Sequence, residues 1–292
     1  MQIEFKNFGA LLIMKILITG GNGNLAKMIK NYLQKYHNID SPSRSELNIL
    51  NMNDFETFLN KDTYDILVHT AISGGRRLKE ENGDVTHNNL LMFENILHFA
   101  DRFKMIFNFD SGAIYDRATD ILNRKEDDLF TIPIDYYGFS KYVIYKRSLM
   151  YHNVYNFRVF NIFHATEEDA RFIKTCFISK KNKTPIAIFE DKYFDFVYED
   201  DFVKIVSHYV DNCENQEKLE KTINICYPDK YTLSDIAKLI IGDDCVPVKI
   251  LNSDLKKNYS GDSGKLDTLA LPLLGLEESL KKYENLFHHE SF

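Results

Sequence analysis

A strand, a glycine turn and a helix follow one another between Lys15 and Tyr32, in the run KILITGGNGNLAKMIKNY, and that order leaves the chain few folds to choose from. Ile16 to Thr19 are apolar or β-prone and predict a buried strand, while Gly20, Gly21 and Gly23 supply a turn that only residues lacking a Cβ make cheaply. Leu25, Met28, Ile29 and Leu33 then recur at helical spacing, so one stripe packs on a sheet and the helix N-terminus faces the turn. Unpaired backbone N–H groups and the positive end of the helix dipole suit a pyrophosphate at that place. Gly20, Asn22, Gly23, Asn24 and Leu25 are therefore the expected dinucleotide-binding residues of the turn.

The spacing Gly20, Gly23, Ala26 gives T-G-x-x-G-x-x-A, a departure from the G-x-G-x-x-G of the principal Rossmann fingerprint. Ala26 is small enough for helix and strand to approach. The competing reading is an ordinary βα turn that binds nothing.

Further strands are expected at His37 to Asp40, Tyr64 to Thr70, Met105 to Phe109 and Asn156 to Phe160, with helices near Asp54 to Leu59, Asn88 to Arg102 and from Tyr136. Strands alternating with helices at this rhythm predict an α/β fold, a Rossmann doubly wound parallel sheet covered on both faces. Beyond Phe163 the elements shorten into a hairpin-like run (Ile186 to Tyr198), helices at Asp201 to Tyr209, from Thr232 or Ser234 and at Leu276 to Tyr283, and a strand at Thr222 to Cys226. The expected organisation is an N-terminal extension (1–13), a dinucleotide-binding domain (14–163) and a smaller C-terminal α/β substrate lobe (164–292) that crosses back to the sheet near 222–226. Met14 directly precedes the first strand, and translation beginning there would leave residues 1–13 without a structural role.

A net charge of −7 argues against general attraction to nucleic acid or an anionic membrane. The apolar patch Phe8 to Met14 is too short to span a bilayer and lacks the layout of a signal peptide. Cys176, Cys213, Cys226 and Cys245 form no C-x-x-C pair, so neither a zinc site nor a disulfide framework is expected, and a reducing cytoplasm fits. No metal site is predicted.

Chemistry is suggested after the fourth strand. Asp110-Ser111-Gly112-Ala113-Ile114-Tyr115 is followed by Tyr137-Gly138-Phe139-Ser140-Lys141, and on a helix Tyr137 and Lys141 share a face. A tyrosine, with a pKa of about 10 when unperturbed, becomes a useful acid or base near neutrality when a cation stabilises its phenolate, a role open to Lys141 together with an oxidised nicotinamide. Ser111 is placed to hydrogen-bond a reacting carbonyl oxygen. Tyr142 and Lys146 match Y-x-x-x-K as well, but no serine motif accompanies them, and they read as packing or surface. His164 is a candidate substrate contact or a structural histidine. Asp200 and Asp201 read as helix caps and anchors.

In combination these motifs resemble the extended short-chain dehydrogenase/reductases, the family of nucleotide-sugar epimerases, dehydratases and reductases, from Lys15 to about Tyr283. The resemblance rests on Thr19 to Gly23, His69-Thr70-Ala71, Asn89, Ser111 before Gly-Ala-Ile-Tyr, Tyr137 with Lys141, Arg158-Val159-Phe160-Asn161, and Phe194-Asp195-Phe196-Val197-Tyr198-Glu199-Asp200-Asp201. Within it, Ser43 to Leu50 and Gly74-Gly75 are similar to the GDP-L-fucose synthase branch. That resemblance implies NADP(H), a 4-keto-6-deoxy sugar nucleotide (hexose or heptose) and a homodimer. It implies Ser111, Tyr137 and Lys141 as catalytic residues, and cofactor contacts from Arg44 (to the 2′-phosphate), Thr70, Ala71, Asn89, Tyr137 and Lys141. Asn161 would hold the diphosphate, with Arg171 a second contact and Ser111 and Gly112 beside the substrate.

Asp40 stands where an acid would instead bind the ribose hydroxyls of NAD; the loop Ser41-Pro42-Ser43-Arg44 favours phosphate. Dehydration needs an acid pair directly after the active-site hydroxyl residue, where this chain has Gly112 and Ala113. The epimerising steps of the fucose synthase branch need a cysteine, replaced by Ala113, and a histidine, roughly replaced by Arg171. Hydride transfer at C4 is the reaction left. A 4-epimerase with tightly bound NAD is the alternative, and a non-catalytic NADP-sensing regulator a third.

Overall fold

The computed structural model describes residues 12–75, 80–253 and 257–289. Most of the expected extension, residues 1–11, lies outside the described residues. Among the described residues twelve strands are formed: β1 (Lys15–Thr19), β2 (Asn38–Asp40), β3 (Ile66–His69), β4 (Met105–Ser111), β5 (Ile121–Arg124), β6 (Val154–Val159), β7 (Ile162–Phe163), β8 (Ile186–Glu190), β9 (Val197–Tyr198), β10 (Thr222–Ile225), β11 (Val248–Asn252) and β12 (Tyr259–Gly261). The α-helices are α1 (Asn24–Leu33), α2 (Met52–Leu59), α3 (Gly83–His98), α4 (Tyr136–Ser148), α5 (Phe172–Asn182), α6 (Glu199–Asp211), α7 (Leu233–Ile241), α8 (Gly264–Asp267) and α9 (Gly275–His289). Six strands make one parallel sheet in the order β10–β6–β4–β3–β1–β2, the α/β arrangement the sequence predicts.

The reason lies in the strands themselves. Ile16 to Ile18, Ile66 to Val68 and Met105 to Phe107 are fully buried, so each run is apolar on both faces, as a sheet covered on both sides requires. Phe107, Tyr155 and Tyr209 meet edge to face in this part of the core.

Two compact units emerge. One comprises the chain up to Asn108 with Lys146–Tyr155 and Ile205–Lys221, and the other Phe109–Tyr145, Asn156–Lys204 and Thr222 onward. In the second, β10 pairs with β6 from Thr222 opposite Asn156. Three two-stranded parallel sheets complete that unit: β5 with β12, β7 with β9, and β8 with β11.

Two local expectations are corrected, and one helix was not anticipated. Ile186 to Tyr198 is no hairpin, because the residues between β8 and β9 are bound elsewhere: Asp191 caps Ser234, and Asp195 binds Lys230 and the Gly261 N–H. The third helix starts at Gly83, not near Asn88, with Asn82 accepting from the Asp84 N–H at 3.0 Å. Helix α5 escapes sequence reading because Ile173, Lys174, Cys176, Phe177 and Ser179 are all buried, which leaves no clean apolar stripe.

One ion pair fixes the second unit's centre. Arg158 on β6 is 0% exposed and Asp110 on β4 is 3% exposed. The Arg158 Nε donates to Asp110 Oδ2 at 2.8 Å, and its Nη1 donates to the Tyr115 hydroxyl and the Glu126 carbonyl at 2.6 and 2.8 Å. The guanidinium also lies over the rings of Tyr115 and Tyr145, 4.8 and 4.9 Å from their centroids. Removing one partner strands a buried charge, so Arg158→Met is expected to lower the unfolding free energy by about 3–5 kcal/mol in urea titration; a loss below about 1 kcal/mol would show that Asp110 does not depend on it.

Candidate active site

In the first unit the glycine turn is held from two sides. Gly20 has a φ of +74°, and a Cβ there would sit 2.9 Å from the Ala71 Cα, while one on Gly21 would sit 2.2 Å from the Ser41 carbonyl oxygen. The Gly21 N–H donates to the Pro42 carbonyl at 3.0 Å and the Gly23 N–H to the Gly20 carbonyl at 2.9 Å. Gly23 caps α1 without a side-chain hydrogen bond, and the first turn carries no acid. Asn22 and Asn24 are exposed beside it, and Leu25 is half-buried. A glycine cradle leading into an uncapped helix N-terminus fits the pyrophosphate of a dinucleotide.

The ends of β1 and β3 are tied together. Thr70 donates its hydroxyl to the Thr19 carbonyl at 2.6 Å, and Thr19 Oγ1 lies 3.0 Å from His69 Nδ1. Asn89, buried, clamps the following loop: its Oδ1 accepts from the Ser73 N–H at 2.8 Å and its Nδ2 donates to the Ser73 carbonyl at 2.9 Å. Asp40 is engaged as well, since the Tyr64 hydroxyl donates to its Oδ2 at 2.6 Å and Lys15 stands 3.8 Å away. Arg44 is exposed. Beside it the Ser43 hydroxyl and N–H both donate to Glu46 at 2.7 Å, which holds that carboxyl below its ordinary range.

In the second unit the structure brings Ser111, Tyr137 and Lys141 together. Ser111 ends β4, where its N–H donates to Asp110 Oδ1 at 2.8 Å and its Oγ accepts from the Ala113 N–H at 3.2 Å. Ser111 lies near enough to Tyr137 to lower its pKa, and Gly138 lets the helix of Tyr137 approach: a Cβ there would lie 2.8 Å from the Ala113 carbonyl. Asp135 accepts from the Gly138 N–H at 2.8 Å and from Arg117 at 2.5 Å, which fixes the start of α4. Lys141 Nζ stands 5.7 Å from the Tyr137 ring centroid.

Burial dominates the electrostatics of the pair. The Lys141 ammonium donates to the Phe109 carbonyl at 2.6 Å, and burial is the largest influence on the Tyr137 pKa. Burial raises the phenol well above its ordinary value, the Tyr259 and Asp110 charges add to this, and the Ser111 hydrogen bond and Arg117 oppose it. Burial lowers Lys141 to about 8, with Asp110 resisting. Tyr137 therefore rests as the neutral phenol and Lys141 carries its proton up to about pH 8.

Asn161, two residues past β6, accepts from Arg171, whose guanidinium lies 3.7 Å from Glu167. Sequence reasoning missed Glu167. Its side chain is 4% exposed, burial lifts its pKa to about 7, and its Oε1 lacks a partner among the described residues. Nearby His164 is buried and pushed down to about 4, mainly by burial, with its Nδ1 3.1 Å from the Thr166 hydroxyl; it is neutral at physiological pH. Gly112 is buried against the Phe160 and Tyr259 rings. Asp201 acts as an anchor, accepting from the Tyr227 hydroxyl at 2.8 Å and the Leu274 N–H at 2.7 Å. Among the described residues no group of His, Cys, Asp and Glu is placed to hold a metal ion, and no described helix is long and apolar enough to cross a membrane.

Residues 16–226 match the model of the NAD dependent epimerase/dehydratase family. No curated protein matches the sequence. Solved structures do. A dTDP-4-dehydrorhamnose reductase from Clostridium acetobutylicum aligns with a TM-score of 0.78 at 20% identity, covering 94% of this chain and 100% of that one. A GDP-mannoheptose C4 reductase from Campylobacter jejuni with NADP bound gives 0.75 at 18%, covering 94% and 98%. A UDP-N-acetylglucosamine 4-epimerase from Bacillus cereus gives 0.75 at 21%, covering 94% and 99%. At these identities the likeness is one of fold.

Glu167 supplies a stability test. Its pKa in the folded protein lies above the ordinary 4.5, so the folded state binds more protons than the unfolded state from about pH 4.5 to 7, and stability falls as pH rises through that window. Glu167→Gln, neutral throughout, is expected to match the parent protein at pH 4 and to exceed it by up to about 3 kcal/mol at pH 8. Parallel denaturation curves at the two pH values would contradict the assignment.

Proposed function

This chain belongs to the NAD dependent epimerase/dehydratase family, and on that premise we propose that it reduces the 4-keto group of a nucleotide-linked 4-keto-6-deoxy sugar with NADPH. The observation that carries this reading is the neutral, buried Tyr137 phenol, with Ser111 beside it and the Lys141 ammonium 5.7 Å from its ring centroid. A reduction needs an acid at the carbonyl oxygen, and a phenol held protonated by burial is that acid. The fold is shared with reductases whose names specify C4 or 4-dehydro sugars.

When bound by the glycine turn, NADPH would supply the hydride that C4 takes up. Ser111 donates a hydrogen bond to the carbonyl oxygen and holds it beside Tyr137, which releases its proton to that oxygen as negative charge develops. Lys141, protonated below about pH 8, stabilises the phenolate left behind and grips the nicotinamide ribose. The glycine turn takes the pyrophosphate on the α1 N-terminus. Arg44 meets the 2′-phosphate, a reading supported by the engagement of Asp40 with Tyr64 and Lys15. Asn161 and Arg171 hold the diphosphate of the sugar nucleotide. The likeness to the fucose synthase branch extends to this reductive step only, because Ala113 and Arg171 stand where the epimerising groups would be.

The test is incubation with NADPH and a panel of 4-keto nucleotide sugars while coenzyme absorbance is followed. Stoichiometric oxidation of NADPH is expected with at least one of them, and Tyr137→Phe is expected to lower kcat by about 10²–10⁴-fold. In the parent protein kcat/KM falls as pH rises through about 8, because Lys141 loses its charge there, and Lys141→Met lacks that limb. A protein that purifies with NAD bound and interconverts C4 epimers with no coenzyme added would replace reduction by epimerisation.

A further inference from the structure

The Ser111 hydroxyl has three neighbours and three hydrogen-bonding capacities, one proton and two lone pairs. The Ala113 N–H takes one lone pair at 3.2 Å. Tyr137 is the second neighbour, and Ser111 lowers its pKa against the effect of burial. The third neighbour is the Tyr259 hydroxyl on β12, 3.3 Å from Ser111 Oγ and 148 residues away along the chain.

The direction of the Tyr259 bond decides what Ser111 can do. If Tyr259 donates, both serine lone pairs are filled and the serine proton is directed at Tyr137 or at a carbonyl oxygen beside it. If Tyr259 accepts, the serine proton turns away and Ser111 accepts from Tyr137, which sequesters both protons that a reduction needs. A phenol is a stronger acid than an alcohol, and Tyr259 is the phenol within hydrogen-bond distance of Ser111 Oγ, so Tyr259 is taken as the donor and Ser111 as the acceptor.

Tyr259 is built to stay in that place. It is 7% exposed, its ring meets Phe160 edge-on at 5.3 Å and Phe194 at 5.2 Å, and its backbone pairs with Tyr193 and Asp195 at 2.9 and 3.1 Å. Room for the two rings is made by glycines. A Cβ on Gly112 would lie 2.9 Å from Tyr259 Cζ and 2.6 Å from Phe160 Cδ1, and one on Gly261 would lie 2.5 Å from Phe160 Cε2.

We propose that Tyr259 is a positioning residue, which commits the Ser111 hydroxyl to donate toward the reacting carbonyl oxygen. The proposal rests on the reductase reading above and adds a fourth side chain to it. No new bond is made or broken: hydride still reaches carbon, and the proton still comes from Tyr137.

Tyr259→Phe keeps the ring and removes only the hydroxyl, so the melting temperature should stay near that of the parent protein. Its kcat should fall at least tenfold with the sugar-nucleotide KM within twofold. In a Ser111→Ala background Tyr259→Phe should cause no further loss, because the serine through which it acts is gone. A second readout uses the protein without coenzyme. With [13Cζ]tyrosine labelling, the Tyr137 resonance, assigned by its disappearance in Tyr137→Phe, should move downfield in Tyr259→Phe at pH 7, as Tyr137 switches from acceptor to donor, and should not respond to Tyr259→Phe when Ser111 is alanine.

An unchanged kcat in Tyr259→Phe overturns the proposal, as does an equal loss with and without Ser111 or a stationary Tyr137 resonance. Should Tyr137→Phe retain turnover, the reductase reading falls by itself. Should no ketone be turned over, the resonance decides the Tyr259 question alone.

Discussion

A single buried carboxylate organises the second unit. Asp110 neutralises the fully enclosed Arg158 with one oxygen and receives the Ser111 N–H on the other, so the charge that permits an arginine in the core also sets the serine at the end of β4. The same charge resists the loss of the Lys141 proton. Desolvating such a pair is costly, and it is tolerated here because the guanidinium finds further acceptors in Tyr115 and Glu126 and lies over two rings. Structure and reactivity are therefore coupled through one side chain.

The acid–base character of the site follows from burial more than from neighbouring charge. The Lys141 ammonium is turned to the Phe109 carbonyl, and burial keeps the Tyr137 phenol neutral. A neutral phenol is matched to giving a proton, which is the direction of ketone reduction. Oxidation of an alcohol would need the opposite state at rest.

What could be read from the sequence was what short spacing encodes. The strand, turn and helix at Lys15 to Leu33 and the Tyr137/Lys141 pair depend on residues within a few positions of each other, and the buried parallel strands announce themselves as apolar runs. Ser111 was found because a strand ends beside it. Helix α5 was missed because polar and apolar residues alike are buried on it, and the supposed hairpin failed because its central residues bind segments some 40 to 70 positions away. Tyr259 and Glu167 were invisible for the same reason. Tyr259 reaches Ser111 from 148 residues away, and Glu167 owes its character to enclosure, which no local pattern records.

Gly112 carries a consequence for how such a site can change. Dehydrating members of this family are expected to need a carboxylate at that position, but here the volume is already taken by the rings of Phe160 and Tyr259. An aspartate introduced alone would collide with aromatic carbon, and shrinking the rings first would leave a hollow at the serine. A carboxylate at this place would therefore need the surrounding rings to be replaced together with Gly112, so the packing ties the identity of this position to that of Phe160 and Tyr259.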